Sequence, residues 1–274
     1  MVTVEVIAIG NEILLGLVQD TNSNYICRVV RGMGGRVRRI SVVRDDVGHI
    51  AAEIDASLAR RTDLIVTCGG LGPTDDDLTL AAVANATGRQ ISINQEAVHF
   101  VERRYLDLAE AGYVTSGEMN EARLKMARLP EGSDMIENRI GAAPAVWMKS
   151  VCGWIVCLPG VPSELKAIVE GPLQSHLGDV FGLGSYRELE ILVACGDESQ
   201  LAPWLRQVAS AHPDVYIKSR AGGFGPEVKF RIMFSATGKT AESAEAKVRE
   251  AANDLIRVFG AAGIQAITPR PDVH

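Results

Sequence analysis

The sequence is poor in the marks that usually announce a reactive site. Its five cysteines, Cys27, Cys68, Cys152, Cys157 and Cys195, form no CxxC pair. They are odd in number and mostly set in apolar runs, which reads as buried free thiols in a reducing cytosol. The five histidines are scattered without HxxxH or HExxH spacing, which argues against a zinc site. There is no GxSxG elbow for a serine nucleophile, no GxxxxGK[ST] loop and no GxGxxG fingerprint, so serine hydrolase, ATPase and ordinary NAD chemistry lack support. No long apolar run is present either. Residues 3–9 are interrupted by Glu5 and ended by Gly10-Asn11-Glu12, which fits neither a signal peptide nor a membrane span, and a cytoplasmic location is expected. With 28 basic against 34 acidic residues the net charge is −6, which removes any global attraction to nucleic acid or anionic membrane. The basic cluster Lys218-Ser219-Arg220, with Gly222-Gly223-Phe224-Gly225 after it, reads as a solvated hairpin. A ligand's phosphates must therefore be met by local groups.

What is present is an alternation of strand and helix patterns. At 274 residues the chain can bury one full α/β core and a smaller second unit. Residues 2–9, 36–43 and 63–68 read as strands, and residues 20–34 and 49–60 as helices, a β-α-β-α-β series implying a parallel sheet with helices on both faces. Further helices are expected over 78–87, 94–111, 118–127 and from Pro162 to Val169, the last with proline at its first turn. Residues 144–149 and 154–158 read as two more strands joined by a turn at Cys152-Gly153. The first domain is expected to span 1–178. The Gly-rich stretch 178–184 is a plausible boundary, and 186–274 read as a small α+β domain in β-α-β-β-α order with its helices on one sheet face.

The strongest chemical signal is Gly69-Gly70-Leu71-Gly72-Pro73-Thr74-Asp75-Asp76-Asp77-Leu78-Thr79, between a strand and a helix. Its three glycines are read as allowing positive φ and close approach to a ligand, and the adjoining helix start offers amides and positive dipole to a phosphate. Open α/β sheets place ligands at strand carboxyl ends. Three consecutive aspartates would repel a bare phosphate, so a divalent cation such as Mg²⁺ is the natural mediator. The same residues also suit a tight turn and a helix cap. Four other segments fall near strand ends. Gly10 to Gly16 carries Glu12, and Asp20-Thr21-Asn22-Ser23 opens a helix in which Thr21 or Asn22 can serve as cap. Val43-Arg44-Asp45-Asp46 comes after the second strand. Leu158-Pro159-Gly160-Val161-Pro162-Ser163-Glu164 leads into a helix, and Asn138-Arg139-Ile140-Gly141-Ala142-Ala143-Pro144 supplies a cation at Arg139.

The pieces GNEILLG, DTNS, VVRDD, GGLGPTDDDLT, NRIGAAP and LPGVPSELKAI resemble, in order and spacing over most of residues 2–172, the CinA branch of the molybdenum-cofactor-biosynthesis fold. Glu198-Ser199 and the residue pattern after them resemble the small KH-like domain of that branch. The resemblance implies a sheet flanked by helices that binds an ADP-ribose-like nucleotide or molybdopterin, in a homo-oligomer. It also implies metal-dependent ADP-ribose pyrophosphatase activity in this domain. The nicotinamide-mononucleotide deamidation associated with a separate carboxy-terminal domain is not carried over, because the chain ends at His274 and no such domain is expected. Molybdopterin adenylyltransferases of the wider fold carry Arg-Asp where this chain has Asp76-Asp77, which favours the CinA-like branch. Arg44, Ala145 and Ser219-Arg220-Ala221 depart from the family pattern and bear on ligand identity.

The leading expectation is a metal-dependent hydrolase of ADP-ribose or a related dinucleotide, with Glu12 orienting water and Asp76 and Asp77 holding the metal. The expected ligand contacts are Gly69, Gly70, Gly72, Thr74, Thr79, Asn22, Asp45, Asn138, Gly141, Pro159, Gly160, Pro162, Ser163 and Glu164. The alternatives are a molybdopterin-binding or adenylyl-transferring protein, and a non-catalytic nucleotide sensor.

Overall fold

The structure is a computed structural model that describes residues 1–182, 185–195, 197–220 and 229–267. Two compact units divide it: Met1–Arg31 with Gly35–Gly182, and Gly32–Gly34 with the described residues from Ser185 onward.

The first unit opens β1 (Thr3–Ile9), α1 (Asn11–Leu14), α2 (Thr21–Gly32), β2 (Arg36–Val43), α3 (Val47–Ala59), β3 (Leu64–Cys68) and α4 (Thr79–Thr87). All of β3 is buried, as expected for a strand covered on both faces. The chain continues through β4 (Ile91–Ile93), α5 (Gln95–Glu110), α6 (Glu121–Lys125), β5 (Arg128–Pro130), β6 (Asp134–Ile136), β7 (Ala145–Lys149), β8 (Trp154–Leu158), α7 (Pro162–Glu170) and α8 (Gln174–Phe181). The main sheet has the order β2-β1-β3-β8-β7-β6. Its first four strands are parallel, while β7 and β6 run antiparallel to their neighbours, so the sheet is mixed and mostly parallel. Ile7, Ile65 and Ile155 point to one face, where Ile50 and Ile54 of α3, Val83 of α4 and Phe100 and Val101 of α5 bury them. Val4, Val6 and Val66 have the opposite parity and are equally buried. On that side α2 and α7 meet where the Tyr25 hydroxyl donates to Glu170.

The first unit adds the short α1, β4 and β5 to the expected elements and differs from them further along the chain. The helix expected over 118–127 is reduced to α6, because Asn120 caps it by accepting the Arg123 amide and residues 128–130 leave to pair with β4. The strands expected over 144–149 and 154–158, with the turn between them, are present as an antiparallel hairpin, to which the unexpected short β6 is added. Beyond the expected close at 178, α8 carries the chain on to Phe181.

The second unit runs β9 (Ser185–Ala194), α9 (Glu198–Ala211), β10 (Val215–Arg220), β11 (Lys229–Gly238), α10 (Ala241–Ala261) and β12 (Ala266–Ile267). Its sheet order is β10-β11-β9-β12, antiparallel throughout. Ile191, Val193, Phe230, Ile232 and Phe234 share one face and are buried with Leu201 of α9 and Leu255 and Phe259 of α10. The glycine turn read at 222–225 lies outside the described residues. Among those described, no helix is long and apolar enough to cross a membrane.

Candidate ligand-binding site

Parallel pairing brings the carboxyl ends of β2, β1, β3 and β8 to one edge of the sheet, and antiparallel β7 adds its amino end there. The loops on that edge are laced together by backbone bonds: Gly10 donates to the Val43 carbonyl at 3.1 Å and Gly69 to Leu158 at 2.9 Å. The Asn11 amide donates to Asp45 Oδ2 at 2.8 Å. Between them lies a cavity of about 600 Å³. Its walls include Gly10, Glu12, Asp45, Gly69, Gly70, Gly72, Asp76, Asp77, Pro159, Gly160, Pro162 and Glu164, so most of the expected residues converge.

The glycines of the β3–α4 loop do different work. Gly69 and Gly70 have φ of 113° and 68°, a region that suits glycine, whereas Gly72 does not have positive φ. A Cβ on Gly69 would lie 2.3 Å from the Ile9 carbonyl oxygen, and one on Gly70 the same distance from Thr79 Oγ1. Gly72 instead makes room for a side chain, since its Cβ would fall 2.6 Å from Asp77 Oδ2. The reading that all three glycines take positive φ is thus corrected at Gly72.

Several expected residues build the wall from behind. Thr79 is fully buried and its hydroxyl donates to the Gly69 carbonyl at 2.7 Å. Asn22 Nδ2 donates to the Gly160 carbonyl at 2.7 Å, while Asp20 caps α2 by accepting the Ser23 amide at 2.9 Å. The cap expected at Thr21 or Asn22 therefore sits one or two residues earlier. Asn138 is fully buried. Its amide donates to the Ala143 carbonyl and Glu164 Oε2, and its oxygen accepts from the Ile140 and Gly141 amides. Gly141 packs so closely on Glu164 that a Cβ would come 2.0 Å from Oε2. Ser163 is exposed in the first turn of α7, where no side chain caps the helix.

Thr74 organises the acidic loop. Its amide donates to Asp77 Oδ2 at 2.9 Å, and its hydroxyl lies 2.5 Å from Asp76 Oδ1 and 2.6 Å from Asp77 Oδ2. One hydroxyl proton cannot serve both carboxylates, so two anionic oxygens are held close with a single donor between them. The Thr74 hydroxyl, the backbone and the nearby Lys125 ammonium hold the Asp76 carboxyl below its ordinary range. Lys125 itself donates to the Thr74 carbonyl. Asp75 is exposed and is not part of the wall.

Electrostatically the cavity is one-sided. Glu12, Asp45, Asp76, Asp77 and Glu164 line it, and among the described residues no lysine or arginine does. Arg139, expected to supply a cation, points elsewhere and pairs with Glu137 at 3.5 Å. Among the described residues no three His, Cys, Asp or Glu side chains converge as a metal site. Two carboxylates with free valence suit a hard cation that keeps waters or ligand oxygens in its shell, as Mg²⁺ does. Sequence reasoning did not pick out the apolar part of the wall, Leu71, Tyr105, Met126, Ala142 and Ala143, as ligand contacts. Arg104 holds that wall by donating to the Ile140 and Gly141 carbonyls at 2.7 and 3.0 Å. The five cysteines are free and none lines the cavity; burial pushes the Cys157 thiol up to about 12.

An open, mostly parallel α/β sheet with glycine loops at its strand ends defines a small-molecule-binding class of protein. Residues 5–177 match the family described as "Probable molybdopterin binding domain". The chain is 37% identical over 241 residues to Protein TK1472 of Thermococcus kodakarensis, covering 88% of this chain and 94% of that one. It is 34% identical over 260 residues to a protein of Pyrobaculum calidifontis, covering 94% and 96%. Among solved structures, the protein CinA "with unknown function" from Thermoplasma acidophilum superposes with a TM-score of 0.57 at 33% identity, over 65% of this chain and 98% of that one. The chain belongs to the CinA-like branch of the molybdopterin-binding, molybdenum-cofactor-biosynthesis domain family.

Proposed function

We propose that the first unit binds a phosphorylated pterin of the molybdopterin type, or a nucleotide of similar build, in the acidic cavity together with a divalent cation. The observation that carries this reading is the wall of five carboxylates without a basic side chain among the described residues, beside a loop whose backbone is left bare by glycine. A phosphate cannot enter such a site alone, and a cation arriving with it answers both charges. Asp76 and Asp77 would hold that ion, with Gly69, Gly70 and Gly72 beside the phosphates. The ion would supply charge neutralisation. Glu12, Asp45 and Glu164 would orient the remaining polar groups of the ligand, with Ser163 exposed nearby, while Thr74, Thr79, Asn22, Asn138 and Gly141 keep the loops in place. The family membership favours the pterin over ADP-ribose.

A second reading, hydrolysis of a dinucleotide pyrophosphate, keeps one specific support. The Glu12 carboxylate folds back over Gly10, so close that a Cβ there would lie 2.4 Å from Oε1, and Glu12 lines the same cavity as the aspartates, which supports reading it as the base. We further propose a homo-oligomer, as the resemblance implies, and a KH-like role for the second unit.

Thermal-shift titration with 6-hydroxymethylpterin phosphate, AMP and ADP-ribose, each with and without Mg²⁺, tests the reading. A ligand bound only by the native state raises Tm, and at a hundred times its Kd adds about 2.7 kcal/mol. The expected result is stabilisation that requires Mg²⁺ and ligand together. Stabilisation unaffected by Mg²⁺ would remove the cation, and no stabilisation by any of the three would remove the function. Release of AMP from ADP-ribose in the same mixtures would instead favour the second reading.

A further inference from the structure

Aromatic residues make up only 5% of the chain, and among the described residues the cavity wall contains a single one, Tyr105 of α5. One face of its ring is covered by the Arg123 guanidinium, whose central carbon lies 3.8 Å from the ring centroid. Arg123 is itself held, donating to the Glu118 carbonyl while its own amide is capped by Asn120 at 2.9 Å. Arg123 does not line the cavity, whereas Tyr105 does. Around the ring the wall turns apolar with Leu71, Met126, Ala142 and Ala143.

The lining therefore combines carboxylates, Asp76 and Asp77 among them, with an apolar and aromatic group that includes Tyr105. We infer that Tyr105, backed by Arg123, is the stacking platform for a planar heterocycle, and that the ligand is bipartite, with its phosphate end at the aspartates and its flat ring on Tyr105. The inference rests on the proposed function and deepens it by assigning the ring end of the ligand. The physical basis is twofold. A ring clamped on one side by a fixed cation loses little freedom when a second flat group covers its other side. Stacking a base on an aromatic side chain also contributes substantially to affinity without demanding particular hydrogen bonds. The backing cation strengthens the platform by holding the ring in place.

The test compares ligands with and without a ring. Binding of AMP, 6-hydroxymethylpterin phosphate and ribose 5-phosphate is measured by calorimetry in Mg²⁺ for the wild type, Tyr105→Phe and Tyr105→Leu. Tyr105→Leu is expected to weaken whichever ring-bearing ligand binds by roughly tenfold. It should leave ribose 5-phosphate within about twofold, because that ligand has no ring to stack. Tyr105→Phe keeps the flat surface and should bind like the wild type. Ribose 5-phosphate serves as an internal control for folding, since a partly unfolded variant loses both classes together. Equal loss of both classes in a variant whose Tm matches the wild type, or no loss in Tyr105→Leu, would overturn the platform while leaving the proposed function standing. A wild type that binds no ring-bearing ligand would overturn both.

Discussion

Two groups of carboxylates in the first unit are treated in opposite ways. Glu5, in the middle of β1, is 1% exposed, and the protein surrounds it with its own cations. Arg60 donates to it at 2.6 Å and Arg38 at 2.9 Å, and the Ser57 hydroxyl adds a bond at 2.8 Å. The five carboxylates of the cavity share its wall with no arginine or lysine among the described residues, and the nearby Lys125, outside the wall, donates to the Thr74 carbonyl. The same fold that neutralises one buried acid leaves five acids at the strand ends without basic partners in the wall. The structural acid is paired from within the chain; under the proposed function the cavity acids would be balanced by a cation that arrives with the ligand.

That contrast is easiest to break at Glu5. Arg60→Met removes the closest cation from a buried carboxylate and is expected to destabilise the protein by about 3 kcal/mol, seen as a lower urea midpoint. The pH dependence carries the same information. Burial alone pushes the Glu5 carboxyl up, but hydrogen bonds from Arg60, Ser57, Arg38 and Thr62 outweigh it and hold it at about 2, against an ordinary 4.5. A lowered native pKa means that the unfolded chain takes up the proton first as pH falls. The stabilisation, on the order of 3 kcal/mol, is therefore complete above pH 4.5 and is lost progressively toward pH 2. Urea melts at pH 6, 4 and 3 should show this decline, and Glu5→Gln should remove most of it. A variant with the same decline would mean that other acids govern that window.

The next sharpest division lies within the glycine loop. Gly69→Ala forces a side chain into φ of 113° and against the Ile9 carbonyl, so it should cost about 1–3 kcal/mol in stability. Gly72→Ala meets only the end of the Asp77 side chain. It should fold with a loss under about 1 kcal/mol, yet displace the carboxylate and weaken Mg²⁺-dependent binding. If Gly72→Ala binds normally, Asp77 does not need its present position.

Much of this architecture was legible because short-range pattern and burial coincide. The apolar run before Gly69 could only be a central strand. Arg36 to Val43 was bounded by turn residues on both sides, and Pro162 marked the start of α7. The glycine loop was visible because backbone requirements leave glycine in the sequence. What stayed hidden depended on contacts across the fold. Tyr105 lies in mid-helix, where spacing marks it as ordinary core, and only folding brings it to the cavity beside Ala142. Lys125 sits 51 positions from the Thr74 carbonyl it binds, and nothing local pairs the two. Asn138 is expected as a ligand contact from the NRIGAAP segment; only the fold shows that it is fully buried and bonded to its own loop and to Glu164.

The smallest expected change in stability, and the sharpest test of the cavity's role, is Asp77→Asn measured beside Asp75→Asn. Asn keeps an oxygen that can accept from the Thr74 amide and hydroxyl, so the turn survives and Tm should move by no more than about 2 °C. What changes is one negative charge. If Asp77 shares a cation with a ligand phosphate, the affinity for that ligand in Mg²⁺ should fall by about tenfold or more, while any binding without Mg²⁺ stays the same or improves as repulsion is relieved. Asp75 is exposed and absent from the wall, so Asp75→Asn removes the same charge from the same loop without touching the cavity. Its effect should be limited to long-range attraction, which salt screens within about 10 Å at 0.1 M. Calorimetric titration of both variants at two salt concentrations separates the cases. A loss confined to Asp77→Asn and insensitive to salt marks direct participation. Small, equal losses in both variants that disappear in salt would mean that the loop contributes only a diffuse field, and that the acids of the cavity, unlike Glu5, have no specific partner at all.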